Sequence, residues 1–341
     1  MRAAVFEGPG NIRIEQVPDP EVELDTDAVV RVAAAGICGS DLWSYRGYGN
    51  RQPGSRIGHE FIGVVADVGA EVRTVRRGDH VISPFTWSDG TCEYCLAGLH
   101  TSCVDGGVFG EPSSDGGQGE AVRVPHADGT LVVVPPALHG ADAQLLPLTD
   151  VLATGHHAAR SAGVGYGRTV AVVGDGAVGL CAVIASRRLG AERIVVIGHH
   201  EERVDLARRL GATDVVCARG QEAVEAAISL TGGAHCVLEC VGVQASLDTA
   251  IAVARDGAVI GYVGVPHLVE RLDLGLLFSR NIGVRGGVTP ARAYIPELMA
   301  DVVTGALDAS AVFDLVVDLE GAPDGYVAMD TRKAVKVRIT P

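Results

Sequence analysis

Cysteine and histidine side chains that can bind a metal are concentrated in the first third of the chain. Cys38 and His59 lie twenty-one residues apart, and a compact loop further on carries the thiols of Cys92, Cys95 and Cys103. A structural zinc ion takes four protein ligands, mostly thiolates, whereas a catalytic zinc ion keeps one position open for water or substrate. The pattern therefore predicts one zinc site that holds a fold and a second that does chemistry.

A glycine-rich segment in the middle of the chain predicts a dinucleotide-binding turn. The apolar run 170–173 leads into three glycines in a G-x-G-x-x-G pattern and then into an apolar helix. In that setting the first glycine permits a tight turn, the second lets a pyrophosphate approach the backbone, and the third lets helix and strand pack closely. The free N–H groups at the start of the helix favour the phosphates. The residues expected at this turn are Gly174, Gly176, Ala177, Val178 and Gly179. A tight turn without a ligand is the alternative.

The end of the next predicted strand bears on which dinucleotide is preferred. An acid at this place binds the ribose hydroxyl groups of NAD and repels the additional phosphate of NADP. This chain has Gly198 there, followed by His199, His200 and Arg203, which can meet a phosphate. We therefore expect a preference for NADP, although the two glutamates before Arg203 are close enough to replace the missing acid.

The elements that must position these residues fall into two groups. Residues 1–152 show short β-branched runs separated by Gly, Pro and Asp, which predicts a mostly β domain. Residues 153–287 alternate apolar strands with helical stretches, which predicts a parallel sheet. Residues 288–341 contain a predicted helix over Ile295–Thr304 and a final strand over Ala334–Ile339, and we expect them to return to the first domain.

Composition excludes several classes of partner. With 42 acidic against 28 basic residues and a net charge of −14, the chain is unsuited to bind nucleic acid or anionic membranes. The N-terminus lacks the long apolar run of a signal peptide, and 169–186 reads as a buried strand, turn and helix, so we expect a cytoplasmic protein. Eight cysteines then indicate metal ligands or buried thiols. Those expected to pack inertly are Cys181, Cys217, Cys236 and Cys240.

The whole chain resembles the medium-chain dehydrogenase/reductase family, in particular its zinc-dependent alcohol dehydrogenases. Four segments in the family's order and spacing carry the resemblance: Gly36-Ile37-Cys38-Gly39-Ser40-Asp41, Gly58-His59-Glu60, the cysteine loop, and Gly174-Asp175-Gly176-Ala177-Val178-Gly179. The resemblance implies an α/β protein with a GroES-like, β-rich catalytic domain and a Rossmann-type, doubly wound parallel-sheet domain. It also implies dimers or tetramers.

Metal ligands follow from the resemblance. Cys38, His59 and Asp150 match the three protein ligands of the catalytic zinc, although Asp150 read alone would be a helix cap. Glu60 matches a residue that approaches this metal, with a supporting carboxylate as the alternative. Asp89 falls where the family has the first of four structural cysteines, so a site of Asp89, Cys92, Cys95 and Cys103 is expected. A metal-free loop is the alternative.

The family's chemistry assigns further residues. Zinc activates an alcohol or carbonyl oxygen, nicotinamide exchanges a hydride with the adjacent carbon, and Ser40 takes the substrate proton. Trp43 stands where many relatives have a histidine, so the proton route beyond Ser40 is open. Trp43 and Phe85 match positions that line the substrate pocket and favour an apolar alcohol, aldehyde or ketone.

Other cofactor contacts implied by the family are Thr154, Val241, Val263, Gly264 and Lys336. A small-molecule substrate is thus expected, with a sugar or polyol dehydrogenase as the alternative on the same fold. A nucleotide-binding protein without turnover is the alternative from another class.

Overall fold

The computed structural model describes residues 1–111 and 114–341. Within it the chain forms two compact units. The first contains Met1–Asp150 and Pro290–Pro341, and the second contains Val151–Thr289.

Most strands belong to the first unit. Its strands are β1 (Arg2–Gly8), β2 (Asn11–Gln16), β3 (Ala28–Ile37), β4 (Ser55–Arg56), β5 (Glu60–Val68), β6 (His80–Ser83), β7 (Thr86–Trp87), β8 (Gly107–Val108), β9 (Ala121–Val124), β10 (Val132–Val133), β17 (Leu315–Asp318) and β18 (Val337–Thr340). Its helices are α1 (Asp41–Tyr45), α2 (Glu93–Leu96), α3 (Ala127–Thr130), α4 (Asp142–Leu145), α11 (Ala291–Val303) and α12 (Ala322–Asp330). Short 3-10 turns cover His100–Ser102, Pro136–Leu138, Leu146–Thr149 and Ser310–Val312.

The second unit alternates strand and helix. Its strands are β11 (Thr169–Val173), β12 (Arg193–Gly198), β13 (Asp214–Cys217), β14 (Ala234–Glu239), β15 (Ala254–Tyr262) and β16 (Gly283–Gly286). Its helices are α5 (Val151–Ala162), α6 (Ala177–Arg188), α7 (Glu201–Leu210), α8 (Gly220–Thr231), α9 (Gln244–Val253) and α10 (Leu274–Ser279).

A seven-stranded sheet forms the centre of the first unit. Its strands run in the order β10-β6-β5-β3-β18-β17, and β9 also pairs with β3. The long strand β3 is largely buried, and its C-terminal end pairs with β5 on one side and with β18 on the other. This pairing brings the last segment of the chain beside Cys38 and His59, because those residues flank the paired ends of β3 and β5. Phe61, Phe109 and Tyr326 are among the largest side chains in the core of this unit.

A six-stranded parallel sheet forms the centre of the second unit. Its order is β13-β12-β11-β14-β15-β16, which is the doubly wound order with its reversal between β11 and β14. The strands are apolar on both faces, as at Val170–Val173, because helices cover both sides of such a sheet. The predicted fold class is confirmed. In the first unit, α11 begins four residues before the predicted helix and β18 begins three residues after the start of the predicted strand.

In the part of the chain that the structure describes, none of the helices combines the length and the hydrophobicity that crossing a membrane requires.

Candidate metal centres and cofactor site

Four metal-binding side chains meet at the ends of β3 and β5 in the first unit. Cys38, His59, Glu60 and Asp150 are buried, and each offers a donor atom within 4.8 Å of the others. Cys38 follows β3 and Glu60 begins β5, so pairing of these strands sets the first three in place. Asp150 comes from more than a hundred residues away, at the end of the 3-10 turn Leu146–Thr149, whose residues are all buried.

The distances within this cluster fit a zinc ion. Asp150 Oδ2 lies 3.3 Å from Cys38 Sγ and 3.4 Å from His59 Nε2. Donors around a tetrahedral zinc ion, with bonds of about 2.0–2.3 Å, are separated by roughly 3.3–3.8 Å. A thiol, an imidazole nitrogen and a carboxylate are also the donor types that zinc accepts. The fit leaves a fourth position to an exchangeable ligand.

The electrostatics of the cluster favour a cation. Burial, with the nearby Asp150 carboxylate, raises the pKa of Cys38 to about 11. Burial lowers the pKa of His59, but Asp41 and Cys38 outweigh it and leave that pKa well above its usual value. Among the described residues, no group hydrogen-bonds Oε2 of the buried Glu60. A divalent cation would compensate this concentration of negative charge.

A buried polar network orients His59. Its Nδ1 lies 3.4 Å from Asp41 Oδ1, which leaves Nε2 toward Cys38 and Asp150. Asp41 Oδ2 accepts the Cys38 N–H at 3.0 Å and a Gln118 amide hydrogen at 3.3 Å, and the Tyr326 hydroxyl donates to Gln118 Oε1 at 2.9 Å. A carboxylate behind a metal-binding histidine fixes the ring and its tautomer. Sequence reasoning assigned no role to Asp41, Gln118 or Tyr326; for Asp41, its place in the Cys38 segment was the available signal.

Lys336 lies in the first unit, as expected of the returning segment, and its side chain forms contacts inside that unit. It is fully buried, and Nζ lies 2.6 Å from Glu60 Oε1 and 3.2 Å from the Ile37 carbonyl oxygen, while the contact to a cofactor pyrophosphate stays a prediction. The residue just before β18 must lie there because β18 pairs with the end of β3. The ammonium group therefore holds Glu60, which has one oxygen left on the side of the metal ligands.

Three further residues predicted for the site lie in this unit, and two of them lie beside His59. Ser40 Oγ lies 3.5 Å from His59 Nε2, and the ring of Phe85 stands edge-on to the His59 ring with 6.2 Å between centroids. Trp43 lies in α1 and contacts Tyr48 with 5.1 Å between ring centroids. The Ser40 hydroxyl and the Phe85 ring thus lie beside His59, one of the donors.

A second group of donors lies in the cysteine loop. One donor atom from each of Asp89, Cys92, Cys95 and Cys103 lies within 4.8 Å of the others. The loop folds tightly because Asp89 Oδ1 accepts the N–H groups of Thr91 and Cys92 at 2.6 and 2.9 Å. The Asp89 N–H in turn donates to Cys103 Sγ at 3.2 Å. Burial raises the pKa of Asp89, but these backbone donors outweigh it and hold that pKa well below its usual value. Three thiols and an ionised carboxylate suit zinc.

The glycine turn in the second unit fits a dinucleotide. Gly174 has φ of +118°, so it needs glycine for the turn, and a Cβ on Gly179 would lie 2.1 Å from the Gly174 oxygen. Gly176 precedes α6 with ordinary φ, and a Cβ there would meet nothing within 4 Å. Internal packing therefore does not require glycine at 176, whereas close approach of a ligand does. Ala177 and Val178 open α6.

The loops after β14 and β15 pack on each other at the same edge of the sheet. The Glu239 carboxylate, buried in the unit, accepts the N–H groups of Val241 and Gly242 at 2.9 Å. The Glu239 carbonyl oxygen accepts the Val263 N–H at 2.9 Å and the Gly264 N–H at 3.2 Å. Sequence reasoning missed this bracing by Glu239. Thr154 lies in α5, is 8% exposed and belongs to the same unit.

The space beside Gly198 differs from the expectation. A Cβ at Gly198 would lie 2.6 to 2.9 Å from Asp175 side-chain atoms, so that space is filled rather than open to a phosphate. Asp175 Oδ2 lies 2.9 Å from His200 Nδ1, so the His200 side chain, one of the predicted phosphate contacts, already contacts a carboxylate. The open space beside Gly198, on which the predicted preference for NADP depended, is therefore absent. Asp175 had been read only as a member of the glycine turn.

The four cysteines outside the two metal-binding clusters differ in exposure, although all four were expected to pack in the interior. Cys181 and Cys236 are buried, whereas Cys217 is exposed and Cys240 is partly buried. Cys217 ends the short edge strand β13, so its side chain is not covered by a neighbouring strand.

Comparison with known proteins places the chain in a family. The family model "Alcohol dehydrogenase GroES-like domain" matches residues 24–136, and "Zinc-binding dehydrogenase" matches residues 177–304. Zinc-type alcohol dehydrogenase B of Aspergillus flavus is 32% identical over 99% of this chain and 80% of that protein.

Solved structures agree. Alcohol dehydrogenase TADH from Thermus sp. ATN1 is 34% identical, with a TM-score of 0.92 over 100% of this chain and 99% of that chain. A zinc-binding dehydrogenase from Sinorhizobium meliloti, bound to NADP, is 28% identical, with a TM-score of 0.81 over 100% and 99% of the two chains. The chain therefore belongs to the zinc-dependent alcohol dehydrogenases of the medium-chain dehydrogenase/reductase family and is an NAD(P)-linked oxidoreductase that acts on CH–OH groups.

Proposed function

We propose that the chain interconverts a primary or secondary alcohol with its aldehyde or ketone, using a catalytic zinc ion held by Cys38, His59 and Asp150. The observation that carries this proposal is the buried cluster of these three donors at the separations of a zinc tetrahedron. When bound, zinc supplies a Lewis acid that polarises the substrate oxygen, and nicotinamide supplies the hydride acceptor or donor.

The surrounding residues hold His59 and Glu60 in position and accept the proton of the substrate. Asp41 holds the His59 ring with Nε2 toward the metal side, and Lys336 holds Glu60 through one oxygen. Ser40, 3.5 Å from His59 Nε2, receives the proton of the substrate hydroxyl. Trp43 cannot titrate, so from Ser40 the proton leaves through water or ribose hydroxyl groups. Glu60 keeps one oxygen free to approach the metal when ligands exchange.

The cofactor is a nicotinamide dinucleotide. The turn at Gly174, Gly176 and Gly179 receives the pyrophosphate, with the N-terminal residues of α6 beside it. The residues we assign to the nicotinamide side are Thr154, Val241, Val263 and Gly264. Binding of NADP by the Sinorhizobium meliloti protein supports this class of cofactor.

The substrate is an apolar alcohol or carbonyl compound. The Phe85 ring stands edge-on to His59, and the family resemblance assigns Trp43 to the same substrate pocket. A polyol would need additional polar partners for its other hydroxyl groups. A panel of aliphatic, aromatic and polyol substrates, followed by cofactor absorbance, tests this; a marked preference for sorbitol would overturn it.

A second zinc ion stabilises the cysteine loop through Asp89, Cys92, Cys95 and Cys103. Together with the catalytic site this makes two zinc ions per chain, which elemental analysis measures directly. The clustering of unpaired thiols also supports a cytoplasmic, reducing location.

The chain assembles as a homodimer or homotetramer. The edge strand β16 has β15 as its one strand neighbour within the described residues, and an apolar groove beside it is lined by Leu274, Leu277 and Phe278, among others. Phe278 is 88% exposed. A second copy that extends the sheet through β16 would cover this surface.

The metal mechanism is tested by replacing one ligand. Cys38→Ala should reduce the zinc content from two ions to one per chain and lower kcat/KM by more than the roughly 100-fold that loss of an outer-shell partner can cost. Cys236→Ala, which removes a buried thiol outside both clusters, is the matched control and should keep two ions. Full activity of Cys38→Ala would refute the catalytic site.

A further inference from the structure

The Asp175 side chain fills the place where the second strand of the parallel sheet ends. Asp175 lies between the first two glycines of the turn after β11 and is 6% exposed. A Cβ on Gly198, the last residue of β12, would lie 2.6 Å from Asp175 Cβ and 2.7 Å from its Oδ2. Only a residue without a side chain fits at 198 while Asp175 occupies this position.

The Asp175 carboxylate uses the hydrogen-bond donors that surround it. Oδ2 accepts the backbone N–H groups of His199 at 2.8 Å and His200 at 3.0 Å, and it lies 2.9 Å from His200 Nδ1. Burial raises the pKa of Asp175, but these donors outweigh it and leave the pKa below its usual value. The place is therefore occupied by a carboxylate whose donors would otherwise be available to a phosphate.

This position matters because the adenosine ribose of a dinucleotide lies at the end of the second strand. An acid that extends from that strand end accepts hydrogen bonds from the ribose hydroxyl groups and repels a 2′-phosphate. Here the strand end is Gly198, yet a negative charge is present at the same place. It comes from the glycine turn of the neighbouring strand β11 instead.

We propose that Asp175 determines cofactor specificity and selects NAD over NADP. This rests on the proposed function only in that a dinucleotide binds along the turn at 174–179. Asp175 Oδ1 lies 3.1 Å from His200 Nδ1 and accepts a hydrogen bond from a ribose hydroxyl group. A 2′-phosphate meets like charge, and it finds the N–H groups of His199 and His200 already engaged.

The contact between residues 175 and 198 supplies a swap experiment. Asp175→Gly removes the carboxylate together with the Cβ that would lie 2.6 Å from a Cβ on residue 198, and so opens the space beside Gly198. Adding Gly198→Asp to that variant returns a carboxylate to the same place from the strand end. If the charge at this place sets the preference, the first change abolishes the preference for NAD and the second restores it.

The test measures binding rather than turnover. Dissociation constants of the zinc-loaded full chain are measured by isothermal titration calorimetry for NAD⁺, NADP⁺, ADP and adenosine 2′,5′-bisphosphate. We expect the original chain to bind NAD⁺ at least about 10-fold more tightly than NADP⁺, because a like charge in close, partly desolvated contact opposes the phosphate. Asp175→Gly should lower the NAD⁺:NADP⁺ affinity ratio at least about 10-fold, mainly through tighter NADP⁺ binding.

Two further variants act as controls. Asp175→Asn keeps the shape and one acceptor oxygen, so it separates loss of charge from loss of folding, and it should shift the ratio in the same direction. Asp205→Asn makes the same charge change on α7, where Asp205 pairs with Arg208, and it should leave the ratio unchanged. Thermal unfolding confirms that each variant is folded.

The outcomes separate this inference from the proposed function. Tighter binding of NADP⁺ than NAD⁺ by the original chain, or an unchanged ratio in both Asp175 variants, would overturn the specificity assignment alone. Absence of binding of all four ligands to the original chain would overturn dinucleotide binding itself, and the specificity assignment with it. Restoration of the ratio by Gly198→Asp in the Asp175→Gly background would support the inference that a negative charge at this position sets the preference.

Discussion

Two residues of the metal-binding region, Asp150 and Lys336, have contacts in the fold that differ from the roles their sequence positions suggest. Asp150 reads as a helix cap in the sequence and stands among metal donors in the fold, 3.4 Å from His59 Nε2. The family resemblance implies that Lys336 contacts the cofactor, and in the structure Lys336 forms a buried ion pair with Glu60. In each case the tertiary partner, and not the residue type, defines what the side chain does.

The buried pair of Lys336 and Glu60 gives a stability prediction. Lys336→Met leaves the Glu60 carboxylate buried without its cation, which should cost about 3–5 kcal/mol of unfolding free energy. Lys333→Met, at an exposed position on the same tail, should change stability by less than about 0.5 kcal/mol. Urea denaturation of the two variants measures both. Equal small losses would mean that the pair contributes little to the fold.

At the scale of elements, turns bring the ligands together. The turn before β5 carries Gly58 with φ of +94°, and a Cβ there would lie 2.3 Å from Gln118 Cγ and 2.9 Å from its backbone nitrogen. Gly54, just before β4, has φ of +83°, but a Cβ there would meet nothing within 4 Å. Comparing alanine substitutions at the two positions therefore separates the cost of backbone strain from the cost of a steric clash.

We expect Gly54→Ala to cost about 1–2 kcal/mol, because alanine is strained at positive φ. Gly58→Ala should cost about 1–3 kcal/mol more, because it also pushes against Gln118, which supports Asp41 behind His59. Thermal unfolding gives the stabilities, and zinc content reports on His59. Equal losses in the two variants would show that the Gln118 contact imposes no constraint.

The cysteine loop offers a second prediction at this scale. Asp89→Asn keeps an oxygen that can accept the Thr91 and Cys92 N–H groups but replaces an anionic ligand by a neutral one. We expect it to raise the rate of zinc loss to a chelator by at least about 10-fold, the lower end of the effect of an outer-shell partner. Asp89→Cys should slow that loss. If Asp89→Asn retains zinc as well as the original chain does, the Asp89 side chain stabilises the turn but is not a zinc ligand.

In its second unit the chain exposes apolar surface beside the edge strand β16, whose one strand neighbour among the described residues is β15. Phe278→Glu in the groove beside β16 should weaken self-association at least about 10-fold, because a charge would be buried in the contact. Tyr166→Glu changes an aromatic residue of similar exposure elsewhere on that unit and should leave the mass in solution unchanged. Analytical ultracentrifugation distinguishes the two. An unaltered oligomer in Phe278→Glu would exclude this surface as the contact between subunits.

The sequence by itself determined the features that depend on local spacing. The glycine turn, the cysteine loop and the alternation of strand and helix over 169–217 require only neighbouring residues and regular hydrophobic periods, so the sequence alone predicts them. The family resemblance added the pairing of Cys38 and His59 with Asp150, which no local pattern contains.

Only the tertiary structure decided the contacts between distant segments. The pairing of β18 with β3 puts Lys336 beside Glu60, and the parallel pairing of β11 with β12 puts Asp175 beside Gly198. A missing side chain at 198 looks like open space in a sequence, because the residue that fills it lies twenty-three positions earlier. The charge and the free volume at such a position depend on residues from two paired strands, so the sequence of one strand alone does not predict them.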